Sequence, residues 1–237
     1  GAETSYPEAI LQKAEVRFKA MSTEEIAALE KNIIAGLPGG EGSYDQAGIK
    51  EAIQKFAQFD DDTYRGHLFA FLDEVIPVAE EAGVVMAIHP DDPPFSLFGL
   101  PRVMSTAQDA ALLTQHLQSQ ANGITMCAGS FGARADADLV SLVRQFANRI
   151  YFVHLRNIKK EQDGSFIESE HLDGDNDIVG IVDALLEEEY ARRAQQSSQP
   201  QIPMRPDHGH TMDIDREANT TRPGYSYAGR MRGLAEL

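Results

Sequence analysis

Cysteine occurs once in the 237 residues, at Cys127, which excludes an internal disulfide framework. Long apolar runs are also missing, and none approaches the ~18–20 residues of a membrane span. The opening stretch, GAETSYPEAILQKAEVRF, lacks the apolar core of a signal peptide. Positive charge is scarce. There are 21 basic residues against 37 acidic ones, a formal net charge of −16. Nucleic acid and anionic membrane both reward clustered Lys and Arg, so this balance argues against either as a partner. No short repeat is present, and the one low-complexity tract is the polar stretch 195–201. These absences predict a cytoplasmic protein whose acidic surplus serves solubility.

What is present is an α/β pattern. Hydrophobic residues make up 42% of the chain, enough for a substantial core, in a length that suits one large α/β unit or two small domains. Residues 5–35 read as helix, and Ser22 followed by Glu25 is a capping-box signature for a second helix starting near Thr23. GLPGGEG (36–42) is a loop by its glycines and proline. Helical spacing continues over 45–59 and 61–82, where Phe69, Leu72, Ile76 and Ala79 recur three or four apart. Residues 1–82 therefore form a helical region, and 83–237 a second region with a different period. VVMAIHP (84–90) is a short apolar run ended by Pro90, as in a strand buried on both faces. A helix at 106–120 leads to the buried run GITMCAG (123–129), and a helix at 136–147 leads to the strand IYFVHLRN (150–157). SFIESEHL (165–172) is a weaker strand of alternating polarity. IVGIVDALLEEEYARRA (178–194) is an amphipathic helix, and IPMRPD (202–207) is the last strand. The alternation implies parallel βαβ units, because parallel neighbours need a crossover.

The strands share one feature: polar chemistry sits at their carboxyl ends. His89 closes the first, Cys127 the second, His154 and Arg156 the third, and Asp207 with His208 the last. In a parallel barrel those ends converge on one face. Two imidazoles, a thiol and a carboxylate delivered from four strands form a candidate metal site. Each has an ordinary explanation alone: a hydrogen-bonded strand-end His, a small buried Cys, an Asp capping a turn. Independent ordinary causes seldom put all four at equivalent positions. His67 and His116 lie within helices and read as ordinary. His171, in EHLDGD, is either a residue that orients the ligands or a surface residue. In AIHPDDPP the three prolines stiffen the loop, and Asp92 reads as a solvated acid.

IPVAEEAGVVMAIHPDDPP (76–94), GLPRVMST (99–106), NGITMCAGSFGARADADLV (122–140), IYFVHLRN (150–157), HLDGDND (171–177), IPMRPDHGH (202–210) and PGYSYAGRMRGLAEL (223–237), with AGLPG (35–39) before them, together resemble the mannonate dehydratase family. The resemblance covers nearly the whole chain. It implies a (β/α)8 TIM barrel, related to the metal-dependent sugar isomerases. Family members are longer, with three strands preceding the region where this chain begins. The chain is therefore expected to carry about the last five strands (84–89, 123–128, 150–156, 166–171 and 202–207) plus a helical insertion. Such an arc leaves two unpaired edges, for more of a longer chain or for partner subunits of a homo-oligomer to cover.

The resemblance further implies a metal, Mn²⁺, held by His89, Cys127, His154 and Asp207, whereas a soft thiolate ligand by itself favours Zn²⁺ or Fe²⁺. The implied reaction removes water from D-mannonate, a small sugar acid of hexuronate catabolism, to give 2-keto-3-deoxy-D-gluconate. His208, beside Asp207, and Tyr225, on a loop after the last strand, resemble the family's acid/base pair. Arg156 offers a fork for the substrate carboxylate or forms a structural ion pair, and His210 is a second substrate-side candidate that orients its neighbours. A sugar isomerase or epimerase on the same barrel, and an inactive metal-binding fragment, are the rival readings.

Overall fold

Side chains that satisfy the first free N–H groups mark where several helices of this chain start. The computed structural model describes residues 7–36, 46–218 and 224–237. The loop expected at 36–42 and the AGLPG stretch lie outside the described residues from position 37 onward. The chain divides into two compact units, Gly1–Tyr64 with Ser96–Pro101, and Arg65–Phe95 with Arg102–Leu237.

In the first unit, α1 (Glu8–Ala20) and α2 (Thr23–Gly36) meet at the expected capping box. Ser22 N–H donates to Glu25 Oε2 at 2.8 Å, and Glu25 N–H donates to Ser22 Oγ at 3.2 Å. Helix α3 (Gln46–Phe56) follows, and Phe56 packs edge-on against Phe59 and Tyr64. Helix α4 (Asp61–Ala82) begins in this unit. Farther along it buries Leu72, Ile76 and Ala79, as their spacing predicts.

The second unit continues with β1 (Met86–Ile88), α5 (Ala107–His116), β2 (Asn122–Cys127), the short α6 (Ala128–Gly132), α7 (Leu139–Phe146) and β3 (Ile150–His154). Then come β4 (Ile158–Lys160), β5 (Phe166–Glu168), α8 (Ile178–Ala194), β6 (Met204–Arg205), α9 (Asp213–Ala218) and α10 (Tyr227–Glu236). Thr106 and Asp109 close a reciprocal capping box on α5, while Asp138 caps α7 and Asp177 caps α8. The main sheet has the order β1-β2-β3-β6 with every pair parallel, which makes this an α/β unit with a parallel sheet. Strand β2 is buried along its whole length, at the centre of a core that includes Ile124, Met126, Val143, Ile150, Val153, Ile181 and Leu185. Gly123 permits this packing, since a Cβ there would stand 2.1 Å from the Tyr151 ring.

Three expectations are corrected. The first strand is not buried on both faces: Met86 is exposed and Ala87 and Ile88 are half-buried, and among the described residues β1 is an edge strand paired with β2 alone. SFIESEHL supplies no fifth parallel strand. Its β5 pairs antiparallel with β4, Ile158 opposite Glu168, in a separate two-stranded sheet. Glu161 to Ser165 form a tight reversal with Gly164 at φ +84°, and so short a connection can join only antiparallel neighbours. Helix α8 is not apolar on one face alone. It buries Ile178, Ile181 and Leu185 but exposes Val179, Leu186 and Tyr190. Its buried side also carries charge, because Glu189 accepts from Ile202 N–H and Arg192 donates to the carbonyls of Ala147 and Ile150. Among the described residues, no helix is long and apolar enough to cross a membrane.

Candidate metal centre and its proton-transfer neighbours

Parallel register carries the strand ends to one place. Cys127 of β2 pairs with His154 of β3, and His154 pairs with Arg205 of β6. His89 directly follows β1, and Asp207 follows β6 after Pro206. One ligand atom each from His89, Cys127 and His154 lie within 4.8 Å of one another. His89 Nδ1 is 2.7 Å from the Pro90 carbonyl oxygen. That oxygen can only accept, so Nδ1 carries the hydrogen and Nε2 keeps its lone pair. This Nε2 is 3.2 Å from His154 Nδ1.

Asp207 divides its two oxygens. Oδ1 accepts from Arg205 Nη2 at 2.7 Å, and Oδ2 lies 3.5 Å from His154 Nδ1. The backbone turns through the left-handed region at Asp207, φ +69°, which Asp tolerates better than most residues. Ser130 Oγ–H donates to Cys127 Sγ at 3.2 Å. Cys127, His154 and Asp207 are buried while His89 is exposed, so the group is open beside His89. A thiol, two imidazoles with facing nitrogens and a carboxylate suit a divalent transition metal, and the fit holds on donor chemistry.

Next to this group stand His208 and Tyr225, with His208 Nε2 3.0 Å from the tyrosine hydroxyl. Tyr225 is placed by backbone. Gly209 forms a parallel bridge with it, and Ser226 Oγ–H donates to the His210 carbonyl at 2.8 Å. Asp215 accepts from the N–H groups of Ala228 and Gly229, which fixes the start of α10. At Gly229 a Cβ would meet the His210 carbonyl oxygen at 1.8 Å, so only glycine allows this approach. Burial, then the charge of Asp207, pushes the Tyr225 hydroxyl above its ordinary value, against the opposing pull of Arg156 and Arg205.

Arg156 is buried, and Nε, Nη1 and Nη2 all donate to carboxylates of the chain itself. Nε and Nη2 reach Glu168, and Nη1 reaches Asp92. Burial works against the guanidinium's charge, but the hydrogen bonds to Glu168 and the charge of Asp92 outweigh it and raise its pKa. Asp92, read from sequence as a solvated acid, is drawn into this ion pair. Glu168 was not singled out from sequence. It closes β5 as Cys127 and His154 close their strands, but the strand expected over 166–171 puts it mid-strand, so no strand-end signal marks it in the sequence.

His210 is exposed, and its Nε2 lies 2.7 Å from the Glu168 carbonyl. His171, open between two readings, is buried with Nε2 3.1 Å from the Pro206 carbonyl, where it props the backbone entering Asp207. His116 stacks on Phe69 and bonds Asp73, as an ordinary helix residue.

A parallel α/β sheet whose strand ends bring together metal-type ligands, beside a hydrogen-bonded His–Tyr pair, defines the class: an α/β chain with a candidate metal centre at the carboxyl ends of its parallel strands. The profile of the UxuA (D-mannonate dehydratase) family matches residues 8–237, and the chain belongs to that family. It is 59% identical over 236 residues to a mannonate dehydratase of Saccharophagus degradans, spanning all of this chain and 59% of that protein. It is 52% identical over 238 residues to mannonate dehydratase 2 of Agrobacterium fabrum, again spanning 59% of the relative. The crystal structure of mannonate dehydratase from Streptococcus suis serotype 2 superimposes with a TM-score of 0.69 at 34% identity, over 78% of this chain and 50% of that one. The chain thus spans about six-tenths of the length of the curated relatives it matches.

Proposed function

We propose that this chain carries the metal centre and the acid/base pair of a mannonate dehydratase, acting in hexuronate catabolism. The observation that carries the reading is the convergence of His89, Cys127 and His154 within 4.8 Å, with Asp207 against His154. These four would hold a divalent cation, Mn²⁺ by family resemblance, with Fe²⁺ or Zn²⁺ suited to the thiolate. The cation supplies Lewis-acid stabilisation of the negative charge that develops beside the substrate carboxylate.

The reaction takes a proton from C2 of D-mannonate and expels hydroxide from C3, and the resulting enol becomes the ketone of 2-keto-3-deoxy-D-gluconate. One group must accept the first proton and another must protonate the departing hydroxyl. His208 and Tyr225, hydrogen-bonded beside the ligands, are that pair in this reading. Arg156, held by Glu168 and Asp92, is the candidate grip for the substrate carboxylate, and His210 borders the substrate from the open side.

The parallel four-stranded sheet supports reading 83–237 as an arc of a (β/α)8 barrel, with 1–82 as a preceding helical region. Sheet edges at β1 and β6, each with one neighbour among the described residues, support a setting in which a longer chain or a second subunit of a homo-oligomer covers them. A cytoplasmic setting belongs to the same reading, because a buried, unpaired thiol at a metal centre suits a reducing compartment. The test is incubation of the metal-loaded protein with D-mannonate. A product one water lighter supports dehydration, a product of unchanged mass favours an isomerase or epimerase, and no turnover rejects both. Turnover of neutral mannose at a rate like that of mannonate would count against a carboxylate-dependent site.

A further inference from the structure

We infer that Glu168 is a positioning residue that fixes the tautomer of His208, so that Nε2 is the acceptor and the Tyr225 hydroxyl the donor in their hydrogen bond. The inference rests on the proposed role of His208 and Tyr225 as the proton-transfer pair. Glu168 Oε1 lies 2.8 Å from His208 Nδ1. An ionised carboxylate has no hydrogen to give, so Nδ1 must donate. A neutral imidazole carries one N–H, and the hydrogen bond made by one nitrogen decides the state of the other. In the neutral ring of His208, Nε2 therefore presents its lone pair, and the tyrosine hydroxyl 3.0 Å away supplies the hydrogen. Asp207 Oδ2, at 3.7 Å from Nε2, is beyond hydrogen-bond length and does not compete.

Glu168 is itself held on every side. Arg156 donates to both of its oxygens and is anchored in turn by Asp92. Its backbone carbonyl meets His210 Nε2 at 2.7 Å, so one residue steadies both histidines of DHGH. Burial opposes the charge on Glu168, but the hydrogen bonds from His208 and Arg156 keep its pKa below the ordinary carboxylate value. The result is one continuous chain, Asp92–Arg156–Glu168–His208–Tyr225, assembled from segments far apart in sequence. With Glu168 removed, nothing in that chain would keep the hydrogen on Nδ1.

Nitrogen-15 spectra of histidine-labelled protein loaded with diamagnetic Zn²⁺ report the tautomer directly. In the unaltered protein His208 should show a protonated Nδ1 and a bare Nε2, and in Glu168→Met the two signals should exchange. The kcat on D-mannonate should fall ~10²–10⁴-fold, the range of a lost general base or a wrong tautomer, with metal content unchanged. Because Glu168→Met leaves a buried guanidinium short of a partner, the double variant Arg156→Met/Glu168→Met removes both charges and should show the same exchange. A protonated Nε2 in the unaltered protein, or an unchanged tautomer in the variants, overturns the inference. Failure of the unaltered protein to dehydrate mannonate would instead overturn the functional reading, while the nitrogen signals still decide the role of Glu168.

Discussion

At the scale of single residues, the proposed division of labour between the ligand group and the His–Tyr pair separates two kinds of loss. Cys127 sits at the end of β2 opposite His154 with its sulfur buried. Cys127→Ser should weaken metal binding by more than the ~10–100-fold typical of losing an outer hydrogen-bond partner, and activity should fall in step. Metal analysis beside turnover checks this, and full occupancy with normal turnover would reject the assignment. His208→Asn and Tyr225→Phe should behave differently, each losing ~10²–10⁴-fold in kcat while retaining metal. Loss of metal in step with activity would make them ligands or structural props. The positions that converge here were legible because rare residue types, one Cys and a few His, fall at strand ends. Glu168 and Asp92 were not, because among 37 acids a carboxylate carries no signal until its partner is known.

Secondary elements decide how tightly these residues are held. Helix α10 approaches the His210 carbonyl so closely at Gly229 that a methyl group has no room. Gly229→Ala should therefore cost about 1–3 kcal/mol, as overpacking does, and shift Tyr225 away from His208. A lowered Tm together with a reduced kcat is expected, and an unchanged Tm would mean that the helix can move aside freely. Glu168 makes an analogous tie between β3, β5 and the segment after β6. Its pKa is lowered by folding, so the stability it contributes is present above the ordinary value of 4.5 and disappears as pH falls through the folded value. In urea melts from about pH 7 down to about pH 3, the advantage of the unaltered protein over Glu168→Gln should shrink below that point. A constant difference would mean the carboxylate is equally well solvated in both states. The capping boxes and the buried run of β2 made the helices and the central strand readable. The β4–β5 hairpin was hidden because three-residue strands carry too few positions to show a period, and β6, at two residues, was readable only through its neighbours MRPDHGH.

For the molecule as a whole, the parallel order of strands was readable from the alternation of apolar runs and helices, whereas closure of a barrel depends on pairings beyond the four strands seen here. The chain's acidity reappears at the site itself. Two guanidiniums, Arg156 and Arg205, face three carboxylates, Asp92, Glu168 and Asp207, so the cluster leans negative before any anion arrives. A sugar acid approaching it meets cations already spoken for. Under the proposed function, the pairing of Arg156 with Glu168 and Asp92 sets an order of addition, in which the inorganic ion goes in first and the organic anion second. Calorimetric titration should find no mannonate heat in chelator-stripped protein and restored binding after Mn²⁺ is returned. Equal affinity in both states would mean that the organic anion needs no inorganic ion beside Arg156, and the obligatory sequence would give way to random addition.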